Sequence, residues 1–352
     1  GGRSTVHPQP RSVPKPWECE VFGYIVRRLI AGFLVIVATS VAVFALFFYG
    51  PSNPGQVVCQ ATSPRCPPER VADYNQTLGY NDPVTEQYVV WAKGLFTGRD
   101  IQFGSTTIDC PAPCLGISYY TREPVSELLK ERYPATLSLA VGAAIIFLPL
   151  GVVLGSVAAR KRGTSTDRLM VGSSLIIYSI PYYLLALMSY LYLVIIWGIF
   201  PQPEYNPFTE NPWAWVSGLL LPWLVLGLAF STQYARFSRG SMVESLSEDY
   251  VRTARAKGLT QRVVLIKHAL RAAIVPVITI FGLDFASLLA GTVFTEFVFN
   301  IDGIGVQALN SIQDQNFPII SATALIVAVF VVVCNLAVDI LYSVIDPRVR
   351  LT

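Results

Sequence analysis

Residues 135–159 read ATLSLAVGAAIIFLPLGVVLGSVAA, and Arg160, Lys161 and Arg162 follow at once. The run holds no charged side chain. A helix needs about 20 mostly apolar residues to cross a bilayer, and in hydrocarbon only a helix or a closed barrel satisfies its own backbone hydrogen bonds. Barrel strands span about ten residues and alternate between apolar and polar side chains, which this run does not. It therefore predicts a membrane-spanning helix.

Five further runs have the same character: 29–49, 171–200, 216–234, 275–293 and 319–345. Of the 352 residues, 53% are apolar and 14% are charged, whereas soluble domains carry about 25% charged residues. This composition excludes a soluble globule, a disordered tail and a coiled coil. It predicts an all-α polytopic membrane protein with six transmembrane helices. The net charge of +3 is too balanced to indicate a nucleic-acid partner.

Positive side chains are concentrated on one side of the predicted bundle. Residues 1–28, the loops after the second and fourth spans, and residues 346–352 together hold 19 of the 26 Lys and Arg residues. Because Lys and Arg beside spans favour the cytoplasmic side, both termini are predicted to be cytoplasmic. A cleaved secretory signal is the alternative for the first span, but its apolar run of about 20 residues favours an uncleaved anchor.

The outer segment, residues 50–134, lies outside the cytoplasm in this topology and contains Cys59, Cys66, Cys110 and Cys114. An even number of cysteines in an oxidising compartment indicates disulfides. Three connectivities are possible; we favour Cys59 with Cys66 and Cys110 with Cys114, because local pairs close first, although the sequence does not decide. Zinc is the competing interpretation, but the segment contains no histidine.

Two prolines predict interruptions of the helices. Residues 124–133 have helical apolar spacing and predict a short amphipathic helix at the outer interface, which Pro134 ends before the second span begins. Pro181 lies inside the third predicted span and predicts a kink there.

The loop between the fourth and fifth spans, residues 240–276, predicts a helix, a turn and a second helix. Apolar or aromatic side chains recur every four residues along its first half: Met242, Leu246, Tyr250 and Ala254. Gly258 then supplies the backbone freedom that a helix end requires, and the second helix leads to Pro276. The basic loop could contact lipid headgroups, connect two spans passively, or dock on a cytosolic partner. Its small residues favour the docking interpretation.

The run 249–259, DYVRTARAKGL, followed by KHALR at 267–271, resembles the coupling loop of ABC importer permeases of the oligopeptide, dipeptide and nickel branch. The wider superfamily has Glu-Ala-Ala where this chain has Arg252-Thr253-Ala254, and Gly258 stands at the matching glycine. Further resemblances cover 24–29, 131–137, 296–299, 303–305, 335–342 and 346–350.

The resemblance implies the type I ABC importer permease fold and a place in the bacterial inner membrane. It implies four kinds of partner: a homologous second permease, two cytosolic ABC ATPase subunits, an extracytoplasmic substrate-binding protein and membrane lipid. The cargo it implies is di- or oligopeptides, with nickel, glutathione or other small peptide-like cargo as alternatives. The residues assigned to ATPase coupling are Tyr250, Arg252, Thr253, Ala254, Arg255, Ala256, Lys257 and Gly258.

No phosphate-binding GxxxxGK[ST] run occurs in the chain, so we expect no cofactor here and assign ATP and Mg²⁺ to the ATPase subunits. No catalytic or metal-binding motif was found, which predicts a non-catalytic subunit. Within the spans, Asp284 is the candidate for contact with a cationic group of the cargo, and an interhelical hydrogen bond is its alternative. Asn335 and Asp339 are candidates for structural roles.

These inferences divide the chain into an arm (1–28), a first span (29–49), the outer segment (50–134), a permease core (135–345) and a C-terminus (346–352). The outer segment either contacts the binding protein or caps the outer mouth passively. An ion-coupled secondary transporter is the main alternative class, and it predicts inverted repeats and discontinuous spans, which the sequence does not show. A membrane-anchored structural protein would not require two basic cytoplasmic loops.

Overall fold

The computed structural model describes residues 16–48, 53–63, 65–103 and 106–345. The first element of the described residues is one long helix, α1 (Pro16–Phe48). The outer segment then forms α2 (Pro54–Thr62), α3 (Pro68–Thr77), α4 (Val84–Thr97), β1 (Arg99–Phe103) and β2 (Thr106–Cys110). The remainder is helical: α5 (Val125–Arg160), α6 (Ser165–Ser179), α7 (Tyr182–Tyr190), α8 (Pro212–Ser247), α9 (Asp249–Ala256), α10 (Gln261–Val263), α11 (Leu270–Ala290), α12 (Val293–Phe299), α13 (Ile304–Gln313) and α14 (Phe317–Ile345). Two single π-helical turns occur, at Leu191–Ile196 and Val264–Ala269.

The predicted helical membrane bundle is confirmed. Within the described residues, five stretches are long and apolar enough to cross a membrane: Val26–Ala45, Val125–Arg160, Pro212–Ser247, Gln261–Ala290 and Phe317–Val338. A sixth is counted when α6 and the helix Tyr182–Ile196 are taken as one span.

The third span differs from the prediction of a single kinked helix. Its two halves meet at 88°, so it is a broken or re-entrant element. The cause is local: the residue before a proline is pushed out of the helical region, and Ile180 is extended at ψ 125°. Pro181 is the N-cap of the next helix, which begins at Tyr182. The absence of discontinuous spans was therefore a wrong expectation.

The prediction of a separate interfacial helix that ends at Pro134 is wrong. Residues 125–160 form one continuous helix that contains both Pro134 and Pro149. The amphipathic turn stays in line with the span because Val125 and Leu129 are buried against the core, beside Ile304 and Ile319. Tertiary burial here outweighs the hydrogen bond that proline removes.

The packing of α5 against α8 forms the centre of the bundle. A methyl group at Gly142 would collide with the indole of Trp223, and one at Gly151 would collide with Tyr234. Trp223 Nε1 donates to the carbonyl oxygen of Ser138 at 2.9 Å, across the same interface. Small residues let membrane helices approach closely, so these two helices are held as one unit.

The outer segment folds as a small layer with its own core. β1 and β2 form an antiparallel hairpin, and Val58, Cys110 and Ile117 are buried beneath it. Disulfides join Cys59 to Cys66 and Cys110 to Cys114, the pairs that the sequence analysis favours. 

Hydrogen bonds tie this layer to the turn before α14, and two of them involve the side chain of Asn316. Asn316 Nδ2 donates to Ser118 Oγ at 2.9 Å, and the backbone N–H of Tyr119 donates to Asn316 Oδ1 at 3.3 Å. Asn316 is buried, so both bonds are shielded from water. The outer segment is therefore fixed to the permease core.

Glu296 is a buried carboxylate that organises the turn between α12 and α13. It is fully buried. Its Oε1 accepts from Thr136 at 2.8 Å and from Thr292 at 3.2 Å, and its Oε2 accepts from the backbone N–H of Val306 at 2.9 Å. Burial raises the pKa of Glu296, and these hydrogen bonds act in the opposite direction because every one of these groups donates to the carboxylate.

We predict that Glu296→Gln destabilises the protein, since the amide adds a donor where donors already converge and removes the charge from these hydrogen bonds. The loss should be about 2 kcal/mol or more, read as a lower thermal unfolding midpoint in detergent. Asp302→Asn is the matched control, because Asp302 is 89% exposed and lies 3.9 Å from Arg132. Equal midpoints for the two variants would contradict the anchoring role.

Candidate coupling site

The first half of the loop 240–276 consists of two helices, not the one predicted. The fourth span continues as α8 to Ser247, and Glu248 is extended at ψ 149°, which separates α8 from α9. The backbone N–H of Glu248 still bonds to the carbonyl of Ser245. α9 is therefore an eight-residue helix set at its own angle on the end of α8.

The inner face of α9 packs on the bundle. Val251 is fully buried and Ala254 is 5% exposed, and both contact a cluster that includes Met242, Val264 and Ala273. Burial of a valine side chain contributes about 1.5–3 kcal/mol. This cluster combines residues of α8, α9 and α11, so α9 is packed against both of the spans that flank it.

Ser245 adds a polar link to the same contact. Its hydroxyl donates to the carbonyl of Ala269 at 2.9 Å and lies 2.8 Å from the hydroxyl of Tyr250. Because the single hydroxyl hydrogen of serine is used on the carbonyl, Tyr250 must donate to Ser245. Ala269 ends the π-helical turn at Val264–Ala269, so Ser245 joins α8, α9 and the entry to α11.

The remaining predicted coupling residues face outward. Exposed positions are Arg252, Thr253, Arg255, Ala256, Lys257 and Gly258, and Tyr250 is 42% exposed. Ala254 is the exception and requires a correction, because it packs inward and holds α9 in place. Arg252 lies 3.4 Å from Asp249, but both side chains are highly exposed, so this ion pair contributes little.

The turn after α9 adds an apolar patch that the sequence analysis did not include in the site. Leu259, Val263 and Ile266 are 41%, 39% and 55% exposed beside the exposed cation Arg262. In the sequence, Val263 and Ile266 belong to the predicted second helix of the loop. The π-helical turn at Val264–Ala269 changes which residues point outward, and that turn leaves no simple pattern in the sequence.

Gly258 connects α9 to this patch in a left-handed conformation. Its φ is +77°, and a Cβ added there would meet no atom within 4 Å. The requirement for glycine is therefore set by the backbone conformation and not by space.

A second contact, between the loop after α5 and α8, was missed altogether. Asp167 follows the basic loop after α5, and its two oxygens lie 2.6 Å from Arg239 Nε and 2.9 Å from Arg239 Nη2. The backbone N–H of Gly163 donates to the same carboxylate at 3.0 Å. The two residues are 72 positions apart, so no local sequence pattern predicts this pair. It fixes the loop after α5 to the end of α8, so the two most basic loops lie on one side of the bundle.

Asp284 takes part in an interhelical hydrogen bond. The buried hydroxyl of Tyr234 on α8 donates to Asp284 Oδ2 on α11 at 3.0 Å. The structure thus contains the contact that the sequence analysis gave as the alternative to a cargo site, and Asp284 stays partly exposed. Asn335 is half-buried on α14, while the side chain of Asp339 lies outside the described side chains.

Metal ligands are not grouped in the part of the chain that the structure describes: no set of three His, Cys, Asp or Glu side chains is placed to hold an ion there.

A bundle of long apolar helices, several of them able to cross a membrane, defines a multi-pass membrane protein. Residues 151–351 match the family model of the binding-protein-dependent transport system inner membrane component, and residues 21–140 match the model of its N-terminal part. The chain is 34% identical to the probable peptide ABC transporter permease protein y4tP of Sinorhizobium fredii, over 93% of this chain and 99% of that protein. It is also 34% identical to the dipeptide transport system permease protein DppB of Escherichia coli, over 93% of this chain and 98% of that protein.

The chain belongs to the family of binding-protein-dependent transport system inner membrane components. It is thus a multi-pass inner-membrane protein and a permease subunit of an ABC importer, which confirms the resemblance seen in the sequence.

We predict that Gly258→Val lowers cargo uptake at least fivefold, whereas Gly258→Asn stays close to the original protein. A left-handed conformation costs a bulky residue about 1–2 kcal/mol, while asparagine adopts it readily. Both side chains have room, so a difference between them isolates the backbone. Uptake by cells with matched permease levels checks this, and similar uptake by the two variants would contradict it.

Proposed function

We propose that this chain forms half of the translocation pathway of an ATP-driven importer of di- or oligopeptides. Two relatives that match nearly the full length are named as peptide and dipeptide permeases, which supports this cargo. No observation in the described residues favours nickel or glutathione over peptides. An extracytoplasmic binding protein delivers the cargo, and a homologous permease supplies the other half of the pathway.

The coupling surface consists of α9, Gly258 and the apolar patch, and it carries the proposal for ATP-driven motion. We place it in a cleft of a cytosolic ATPase subunit. Leu259 and Ile266 supply exposed apolar area, and Arg252, Arg255 and Lys257 supply positive charge for acidic groups at the edge of the cleft. Two such ATPases, one for each permease, hydrolyse ATP with Mg²⁺.

Motion is transmitted because the face of α9 that points away from the ATPase is buried against the bundle. Closure of the ATPases moves α9 as a rigid body, and the buried contacts of Val251 and Ser245 carry this movement to α8 and α11. Because α5 packs closely against α8, the movement of α8 also moves α5, the second span. The spans then tilt, and access to the pathway alternates between the two sides of the membrane.

A separate contact supports the proposed orientation in the membrane. The Asp167–Arg239 ion pair holds two basic loops on one side, and the positive-inside rule assigns that side to the cytoplasm. Both termini are then cytoplasmic, and the outer segment faces the binding protein. Its attachment through Asn316 supports a role in receiving that protein.

Site-specific cross-linking tests the docking surface. In a chain whose Cys19 and Cys334 are replaced by serine, Ala256→Cys should form a cross-link to an ATPase subunit in membranes of cells that express the whole transporter. Ala254→Cys is the matched control, since Ala254 is buried two residues away. A cross-link from position 254 but not 256, or none from 256, would contradict the proposed surface.

We predict that Asp284→Asn impairs uptake of a lysine-containing dipeptide more than that of dialanine, if its charge meets the cargo. Tyr234→Phe is the companion variant, because it removes the hydrogen bond and leaves the carboxylate in place. Uptake measured for both peptides in both variants separates the two roles. If Tyr234→Phe reproduces the Asp284→Asn result for both peptides, Asp284 acts only through its interhelical contact.

A further inference from the structure

A cavity of about 420 Å³ lies between the outer segment and the outer ends of α1 and α14. Small-molecule sites in proteins have volumes of about 300–1,000 Å³, so this cavity is of a size to hold a ligand group. The residues that matter for its chemistry are Val90, Arg99 and the tyrosines Tyr80 and Tyr119. The cavity is remote in the fold from α9, and the proposed import mechanism does not use it.

Arg99 gives the interior of the cavity its charge. Its Nε is buried and has no hydrogen-bond partner among the described residues. Burial lowers the pKa of Arg99 from its ordinary value, but an arginine remains charged at physiological pH. A buried guanidinium N–H without an acceptor is costly, and its fork of donors fits a phosphate or a carboxylate. Arg99 lines the cavity, so its guanidinium offers charged donors to an anionic group there.

Two tyrosine hydroxyls lie beside this guanidinium. Tyr80 and Tyr119 are joined by a hydrogen bond of 2.7 Å between their hydroxyl oxygens. Burial raises the pKa of Tyr80 to about 12 and that of Tyr119 well above its ordinary value. Both phenols therefore stay neutral and add no negative charge that would exclude an anion.

Carboxylates surround the cavity on its exposed side. Asp82, Glu86 and Asp100 all line it, and all three residues are exposed to solvent. A purely anionic ligand would be repelled by this rim, whereas an ammonium group would be attracted to it. The arrangement, positive inside and negative outside, matches a zwitterion that enters with its anionic group first.

The mouth of the cavity lies at the level of the lipid. Tyr88 on α4 forms a hydrogen bond of 2.8 Å with Ser40, a residue inside the first membrane span. Phe44 packs against both Tyr88 and Trp91, at ring-centroid distances of 5.3 and 6.0 Å. 

The free side of α4 is also apolar. Val89, Val90 and Phe96 are 61%, 51% and 84% exposed. Aromatic and apolar side chains on a helix beside a span are typical of the membrane interface. α4 therefore lies in the headgroup region, and a lipid reaches the cavity without leaving the membrane.

We propose that this cavity binds the headgroup of a zwitterionic phospholipid from the leaflet on the side of the outer segment. The phosphate accepts from Arg99, the ammonium lies among the rim carboxylates, and the acyl chains run along α1. The bound lipid then joins the outer segment to the spans in the same way that Asn316 joins it to the core.

The test uses the whole transporter in nanodiscs made from equal parts of phosphatidylethanolamine and phosphatidylglycerol. After extraction into detergent, mass spectrometry measures the lipids that stay bound. The original complex should retain phosphatidylethanolamine in clear excess over phosphatidylglycerol. Arg99→Gln should lower its retention about tenfold, as expected for loss of a charged hydrogen bond. Arg65→Gln, at an exposed arginine of the same segment, should have no effect.

A second variant keeps the test informative if Arg99→Gln folds poorly. Val90→Trp narrows the cavity from an exposed position and should also lower retention of phosphatidylethanolamine. Unchanged retention in Val90→Trp, or equal retention of the two lipids by the original complex, would overturn the proposal. Displacement of the lipid by millimolar dialanine would also overturn it and would assign the cavity to a peptide.

Discussion

The buried face of α9 is the contact on which the rest of the structure depends. An eight-residue helix is too short to be stable alone in water, so its shape is set by what it packs against. Val251 and Ala254 provide that packing, and Ser245 completes it with hydrogen bonds to both neighbouring elements. A helix whose inner face is packed in this way can transmit a force applied to its exposed face, whereas a flexible loop would absorb that force.

The path inward from α9 is continuous. α8 leads away from it for 36 residues, and glycines on α5 let α8 approach closely enough for the two helices to move together. At the far end, the carboxylate of Glu296 fixes the turn before α13, and Thr136 on α5 is one of its partners. Fixed turns at both ends of the bundle favour rigid-body tilting of spans over local bending.

Much of the fold could be predicted from the sequence because hydrocarbon imposes a strong constraint: the runs 135–159 and 216–234 have no alternative to a helix. The positions at which helices are interrupted were harder to predict. Pro181 separates two helices at 88°, whereas Pro134 lies inside one continuous helix whose Val125 and Leu129 are buried. In the loop 240–276, helices were predicted, but the break at Glu248 and the outward apolar patch were not. The Asp167–Arg239 pair joins distant loops and has no local signal.

The central claim is that ATP on the side of α9 drives the movement of cargo. Proteoliposomes that contain the whole transporter, with binding protein and labelled dipeptide outside, test it most directly. The account predicts uptake when ATP is enclosed with α9 in the lumen and no ion gradient is present, and none when a proton or sodium gradient is imposed without ATP. Uptake driven by the gradient alone would contradict it.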